Sequence, residues 1–420
     1  MYWLPKSKKV KIGFILIIIA LFLFIYIFIG KIKTATIPDG YGVNIHFTGK
    51  QVDINLIHDA GFKMARTDIF WSSIEEEKGV YDFENNGYDT LTKELMKAGI
   101  RPYYVLDYSN LLYEEHGASI VTDKGREAFN RYVDEVTSRY KNKGIIWEVW
   151  NEPNLDSWEP QPNIHDYSLL LKESVRTIKK NDPSGFVVAP ALAGISDESL
   201  KWFEDLFKTG ALDNVDAISV HPYRTWEPES VAYEYELLRE LVKKYTSKKI
   251  PIISGEWGYS TANGWWGMHL SEEQQAAFLV RMFLINKLND IPISIWYGWE
   301  NDGSDPNNGE HNFGLRQENT AIPKLAYHAM YVFNYMLSDY QLIERMDLGN
   351  PDDYLLKFTN KKDEMILVMW TIKESHGINI PFPEIKGPVF TMLGKESHYY
   401  HSEQDPIIEL SEDPVYLIVE

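Results

Sequence analysis

The sequence predicts a closed (β/α)8 barrel with a small all-β domain after it and a single transmembrane helix before it. Three observations carry this expectation. Short β-rich runs alternate with longer helical patterns from Tyr41 to about Tyr340, which is the signature of repeated βα units around a parallel sheet. Beyond Gln341 the pattern changes to β-runs alone, and ahead of the alternation lies one long apolar stretch. The expected domains are therefore 1–33, a Lys-rich tip and membrane anchor; 34–340, the barrel; and 341–420, a sandwich-like accessory domain.

The N-terminal stretch Ile12–Ile29 contains 18 consecutive apolar or aromatic residues. As a helix it rises about 27 Å, close to the hydrocarbon thickness of a bilayer. Lys6, Lys8, Lys9 and Lys11 precede it while only Lys31 and Lys33 follow closely, so the larger positive cluster is expected in the cytoplasm. This predicts a single-pass signal-anchor in the cell membrane with the remaining chain extracytoplasmic. A cleaved signal peptide is the competing reading; its apolar region is shorter and ends in small residues, which Lys33, Thr34 and Ala35 match poorly.

Eight strands are expected over Gly42–Phe47, Lys63–Asp68, Arg101–Asp107, Ile145–Trp150, Phe186–Pro190, Ala217–His221, Ile252–Glu256 and Ile293–Trp299. Helical patterns over Gly87–Lys97, Lys124–Tyr140, Asp166–Lys180, Glu229–Lys244, Glu272–Leu288 and Pro323–Leu337 fall between or after them. Eight units suit a closed barrel better than an open sheet, and no Gly-rich phosphate loop follows the first strand. The C-terminal runs YLLKFTN, EMILVMWTI, GPVFTML and VYLIVE are separated by polar and Pro-containing turns. They predict the accessory β-domain, packed on the barrel and stabilising it.

The formal net charge of −19 argues against a nucleic-acid surface, because phosphate binding needs clustered Lys and Arg. The absence of Cys removes disulfides and thiolate metal ligands. Aromatic residues are 14% of the chain, with 13 Trp and 26 Tyr; most of these fill a core, and the rest suit flat apolar ligand faces such as sugar rings.

Two acids stand out at strand ends: Glu152 in IIWEVWNEP and Glu256 in IPIISGEWG. In a (β/α)8 barrel, groups at the C-terminal ends of strands form the active site, and strands four and seven lie across its mouth. Two facing carboxylates can divide the work of proton donor and nucleophile if their surroundings separate their pKa values. Other strand ends bring His46, Arg66, Asp107, His221, Tyr223 and Trp299 to the same rim. Arg66 and Tyr223 are expected to hold Glu256 ionised, and burial beside Trp150 to keep Glu152 protonated. The plainer readings are a structural ion pair for Arg66 and a packed barrel histidine for His221.

With these residues in view, the chain resembles clan A retaining glycoside hydrolases, and family 39 with its exopolysaccharide-acting relatives above all. The resemblance rests on Asn151-Glu152-Pro153 after strand four, Glu256 ending strand seven, and the segment from Trp71 to Asn110. It covers roughly residues 41–340. It implies Glu152 as acid/base, Glu256 as nucleophile, Asn151 on the sugar 2-hydroxyl and Trp299 as the floor of the cleaved-sugar subsite. Tyr108, Asn110, Trp226, Trp257, Trp265 and Trp266 are further subsite candidates. The implied activity is cleavage of O-glycosidic bonds inside a polysaccharide, an exopolysaccharide of the same cell, with an exopolysaccharide synthesis or export complex as partner. Transglycosylation by the same residues and a non-catalytic carbohydrate-binding role are the alternatives. No cofactor is expected. The oxygen-rich loop Asn301–Asn312 reads as a rim loop, since its spacing departs from a twelve-residue calcium loop, so no metal site is expected.

Overall fold

The computed structural model describes residues 37–49, 51–318, 322–380, 387–397, 400–401 and 406–419. The apolar run Ile12–Ile29, and with it the expected anchor, lies outside these residues. Among the described residues no helix is long and apolar enough to cross a membrane.

Eight parallel strands close into a barrel in sequential order: β1 Gly40–Asn44, β2 Met64–Phe70, β3 Arg101–Asp107, β4 Ile146–Val149, β5 Phe186–Ala193, β6 Ala217–His221, β7 Ile252–Trp257 and β8 Ile293–Trp296. Pairing of β1 with β8 completes the ring, with Gly42 opposite Ile295. Side chains alternate between the inside of the ring and the helix layer. In β3 and β4 the outward residues Tyr104, Leu106, Trp147 and Val149 join the main apolar core. Their neighbours in sequence, Tyr103, Val105, Ile146 and Glu148, face inward.

A single helical turn, Trp71–Ile74, follows β2, and two longer helices outside the expected set, Gln51–Asp59 and Asp197–Lys208, complete the outer layer. The second starts on Ser196, whose side chain accepts from the Ser199 N–H, with Asp197 and Glu198 in the first turn; these features satisfy free N–H groups and complement the helix dipole. Strand β8 ends at Trp296, three residues before the expected end at Trp299. That difference matters for the site.

The C-terminal residues form two sheets. The larger has the order β14 (Glu396–Ser397), β13 (Val389–Thr391), β17 (Val415–Val419), β11 (Met365–Thr371), β10 (Asp353–Thr359), β9 (Gln341–Arg345). The smaller joins β12 (His376–Asn379), β16 (Pro406–Leu410) and β15 (Tyr400–His401). Residues of β10 and β11 divide by parity. Leu355, Leu367 and Met369 pack with Ile380, Ile408 and Leu410 in a second core, whereas Leu356, Phe358, Ile366, Val368 and Trp370 join the main core with the barrel. The central sheet is thus buried on both faces, which is why its strands read as nearly continuous apolar runs.

The helix Glu272–Leu288 lies between these layers and is apolar around its circumference, as a helix covered on two sides must be. One buried polar cluster ties the layers together. Arg281 donates to both oxygens of Glu229 at 2.8 and 2.7 Å, and Trp370 Nε1 of β11 donates to Glu229 Oε1 at 2.7 Å. Residues 38–420 accordingly form one compact unit.

Candidate active site

The site grows out of an ionic cluster inside the barrel. Arg66 on β2 faces inward, opposite Asn44 of β1 and Tyr103 of β3, and is almost wholly buried. A buried guanidinium must have its donors satisfied, and four partners do so. Nε donates to Glu148 Oε2 at 3.0 Å, Nη1 to Asn44 Oδ1 at 3.1 Å and to Glu256 Oε2 at 2.5 Å, and Nη2 to Asn151 Oδ1 at 2.7 Å. Tyr103 donates to the other Glu148 oxygen at 2.9 Å. Both oxygens of Glu148 are therefore held from below.

Glu256 ends β7. Its Oε2 receives Arg66 and its Oε1 receives the Tyr223 hydroxyl at 2.8 Å. Two donors, one of them cationic, thus fix the orientation of both its oxygens. Gly255 precedes it for a steric reason: a Cβ there would sit 2.2 Å from Ser219 Oγ, so only glycine lets the strand approach the cluster this closely.

Glu152 follows β4 on a segment with unusual backbone. Both Trp150 and Glu152 have positive φ, 71° and 48°, a conformation that costs an L-residue about 1–2 kcal/mol. Hydrogen bonds hold it. The Glu152 N–H donates to Ala191 O at 3.2 Å, the Ser157 hydroxyl donates to the Glu152 carbonyl, and Trp150 Nε1 donates to Ser157 O at 2.9 Å. Strain kept in place by neighbouring bonds is typical of functional positions.

The turn directs the Glu152 carboxyl toward Glu256, into surroundings unlike those of its partner. Burial, opposed only partly by Arg66, pushes it up to about 7. Its Oε1 pairs with His221 Nδ1 at 2.9 Å. His221 is fully buried, and burial lowers its pKa to about 4, so the ring is neutral near pH 7. Ligating atoms of Glu152, His221 and Glu256 all lie within 4.8 Å of one another. A trio of this kind can hold a divalent ion, but both Glu256 oxygens already have donors and the Arg66 cation lies against one of them. The arrangement places one carboxyl able to carry a proton near neutral pH beside another whose two oxygens are held by donors.

A cavity of about 740 Å³ opens over the pair, within the size range of small-ligand sites. Beyond Glu152 it is lined by Asn154 and Gln161 from the loop after β4 and by Ser196, Glu198 and Trp202 from the cap and first turns of the helix after β5. Beyond Glu256 it is lined by Tyr223, Trp265, Trp266, Tyr297, Glu310 and Phe313, chiefly from the loops after β7 and β8. The carboxyls thus sit between two arms of one cleft.

The expected residues divide into three groups. Glu152, Glu256, His221 and Tyr223 line the cavity. Arg66 and Asn151 stand behind them; Asn151 is fixed by Arg66 and by its own donation to the Tyr108 hydroxyl at 3.2 Å. The remaining three lie elsewhere. Trp299 is 1% exposed and does not form the floor. Its Nε1 donates to Asp53 Oδ1 at 3.1 Å, because the chain has left β8 and turned into the wall. Tyr297 faces the cavity instead. Asp107 is wholly buried in the barrel, where desolvation and the adjacent Asp68 raise its pKa well above the ordinary carboxyl value; it does not line the cleft. His46 is at the rim, linking Asn44 Nδ2 at 2.9 Å to Asp302 Oδ1 at 2.8 Å, and so orients the amide that receives Arg66.

Among the aromatic candidates, Trp265 and Trp266 line the cavity, stacked at 4.3 Å. Trp257 is buried, Trp226 is exposed outside the lining, and Asn110 is buried and donates to the Glu75 carbonyl. Glu148, Tyr297 and Glu310 were not among the expected residues. Glu148 had a readable signal, a charge at an inward position of an apolar strand. Glu310, opening a single 3-10 turn in a polar loop, had none.

A family model described as cellulase (glycosyl hydrolase family 5) matches residues 32–302. A β-xylosidase of Caldicellulosiruptor saccharolyticus is 25% identical over 325 residues, 70% of this chain and 64% of that protein. A β-xylosidase of Geobacillus stearothermophilus is 32% identical over 118 residues, 27% of this chain and 23% of that one. The chain thus covers less than two thirds of either relative. Among solved structures, a family 39 glycoside hydrolase from the gut symbiont Bacteroides cellulosilyticus WH2 matches with a TM-score of 0.78 at 25% identity, over 91% of this chain and 81% of that one.

Proposed function

Because the chain belongs to the cellulase family, glycosyl hydrolase family 5, we propose that it is a retaining O-glycoside hydrolase with Glu256 as nucleophile and Glu152 as acid/base. The observation that carries this reading is the spacing and unequal environment of the two carboxyls. Their ligating atoms lie within 4.8 Å, which suits the roughly 5–5.5 Å separation of retaining sites and leaves no room for the water an inverting pair needs.

In the first step Glu256 Oε2 or Oε1 attacks the anomeric carbon, forming a glycosyl ester as the bond to the leaving oxygen breaks. Glu152 gives its proton to that oxygen. His221 occupies Glu152 Oε1, so Oε2 is the oxygen that faces the substrate. In the second step the Glu152 carboxylate takes a proton from water, whose oxygen attacks the anomeric carbon and releases Glu256. A carboxyl titrating at about 7 is suited to both roles near neutral pH. The leaving group lies against the proton donor, which assigns the arm beyond Glu152 to the aglycone and the arm beyond Glu256 to the glycone.

The two-armed cleft supports an oligomeric or polymeric substrate cut internally, and the β-xylosidase relatives support an O-glycoside. The Ile12–Ile29 run, with its flanking lysines, supports tethering of the catalytic unit on the outer side of the cell membrane, where an exopolysaccharide would pass. The test is the anomeric configuration of the first-formed product, followed by NMR on a panel of surface polysaccharides and aryl β-glycosides. Retention, abolished by Glu256→Gln, supports the reading. Inversion, or unchanged cleavage by Glu256→Gln, contradicts it.

A further inference from the structure

We infer that the glycone arm of this cleft selects a sugar bearing a free amine, with Glu310 as the counter-charge and the surrounding aromatic rings as the wall that receives the ammonium. The inference rests on the glycosidase reading of the same site. It starts from an imbalance of charge. Among the described residues the cavity is lined by Glu152, Glu198, Glu256 and Glu310 and by no Lys or Arg. Among the described residues Arg66, behind the cavity, is shared between Glu148 and Glu256, and His46 at the rim is paired with Asp302, so neither forms an ion pair with Glu198 or Glu310.

The aromatic geometry is the second observation. Tyr223 packs edge-on against Trp266 at 6.3 Å and Tyr297 at 6.5 Å, Tyr297 against Phe313 at 5.2 Å, and Trp265 against Phe313 at 4.9 Å. Glu310 completes this ring through its Oε2, which accepts from the Tyr297 hydroxyl at 3.1 Å. Electron-rich faces joined by a carboxylate are the chemistry that recognises an ammonium. Among the described residues Glu310 makes no ion pair. Burial raises its pKa, the Tyr297 hydrogen bond and His46 oppose the rise, and Glu256 and Asp302 add to it, so a cation beside it relieves the repulsion from these two acids.

A neutral sugar would use the aromatic faces without needing Glu310, and a uronic acid would meet like charge, which discriminates by repulsion. An amino sugar uses both features. The test is binding to the Glu152→Gln variant, in which Gln imitates the protonated acid and prevents turnover. A fully deacetylated β-1,4-linked glucosamine tetrasaccharide, its N-acetylated counterpart and cellotetraose are titrated against it by calorimetry. The amine oligomer is expected to bind at least about tenfold tighter than the other two at low salt, with the preference shrinking as salt rises. Adding Glu310→Gln is expected to bring the three to within about twofold. Equal binding, absence of binding to all three, or a preference that survives Glu310→Gln would overturn the inference. Labelling of Glu256 by a fluorinated glycoside tests the glycosidase reading separately. Equal binding with intact labelling rejects amine selectivity alone.

Discussion

If the Glu152 carboxyl is held up by burial, then the folded protein is destabilised at neutral pH by that same carboxyl, and Glu152→Gln removes the penalty. The side chain is 21% exposed, so solvent screening is limited. The rise from 4.5 to about 7 corresponds, at about 1.4 kcal/mol per pH unit, to roughly 3 kcal/mol. The direction follows from proton binding. Between pH 4.5 and about 7 the folded state holds the proton while the unfolded state has released it, so stability falls as pH rises through this window. Below pH 4.5 both states are protonated and the penalty vanishes; above about 7 it is complete. Glu152→Gln is therefore expected to stabilise the protein by up to about 3 kcal/mol at pH 8 relative to its effect at pH 4.5. For a unit the size of residues 38–420, the unfolding entropy is about 0.8 kcal/mol/K, so the difference is about 4 °C in Tm. Circular dichroism melts of both proteins at the two pH values measure it. Only the pH-dependent part of the difference counts. An identical Tm difference at pH 4.5 and 8 would refute the account of Glu152.

Three further perturbations separate the roles of neighbouring groups. Tyr223→Phe removes the 2.8 Å donor to Glu256, and kcat/KM on an aryl glycoside is expected to fall roughly 10- to 100-fold, the worth of a hydrogen bond to a charge. Tyr297→Ala is expected to raise KM severalfold, whereas Trp299→Phe, in the wall and bonded to Asp53, should leave KM unchanged and lower Tm; a KM effect from Trp299→Phe alone would restore that residue to the cleft. Glu229→Ala strips the buried Arg281 and Trp370 of their shared acceptor and is expected to cost about 3–5 kcal/mol in urea unfolding, with no loss if the cluster is solvated.

The barrel was legible because βα alternation is a periodic signal, and the two glutamates because an apolar strand ending in an acid has no packing explanation. Glu152 was legible as a position but not in its conformation: the positive φ that turns it inward depends on Ala191 and Ser157, neither near it in strand pattern. Trp299 was misplaced because an apolar run through ISIWYGW gives no sign that β8 stops at Trp296. Moving the end of the strand exchanged Tyr297 for Trp299 at the cavity. Glu148 and Arg66 become one cluster only when β2 and β4 are known to face the same interior. Glu310 reaches the site from one short 3-10 turn in a polar loop, where residue type and spacing carry no direction. The C-terminal strands read as strands, but burial of β10 and β11 on both faces required knowing that the barrel covers one of them.

The central claim is that Glu256 forms a covalent bond to the sugar, and the direct measurement is peptide mapping after inactivation. The protein is treated with a 2-fluoro glycoside carrying an activated leaving group, then digested and analysed by mass spectrometry. The account predicts one glycosyl adduct per chain, located on Glu256 and lost in Glu256→Gln. Inactivation without an adduct, or an adduct on Glu152 or Glu310, would contradict it.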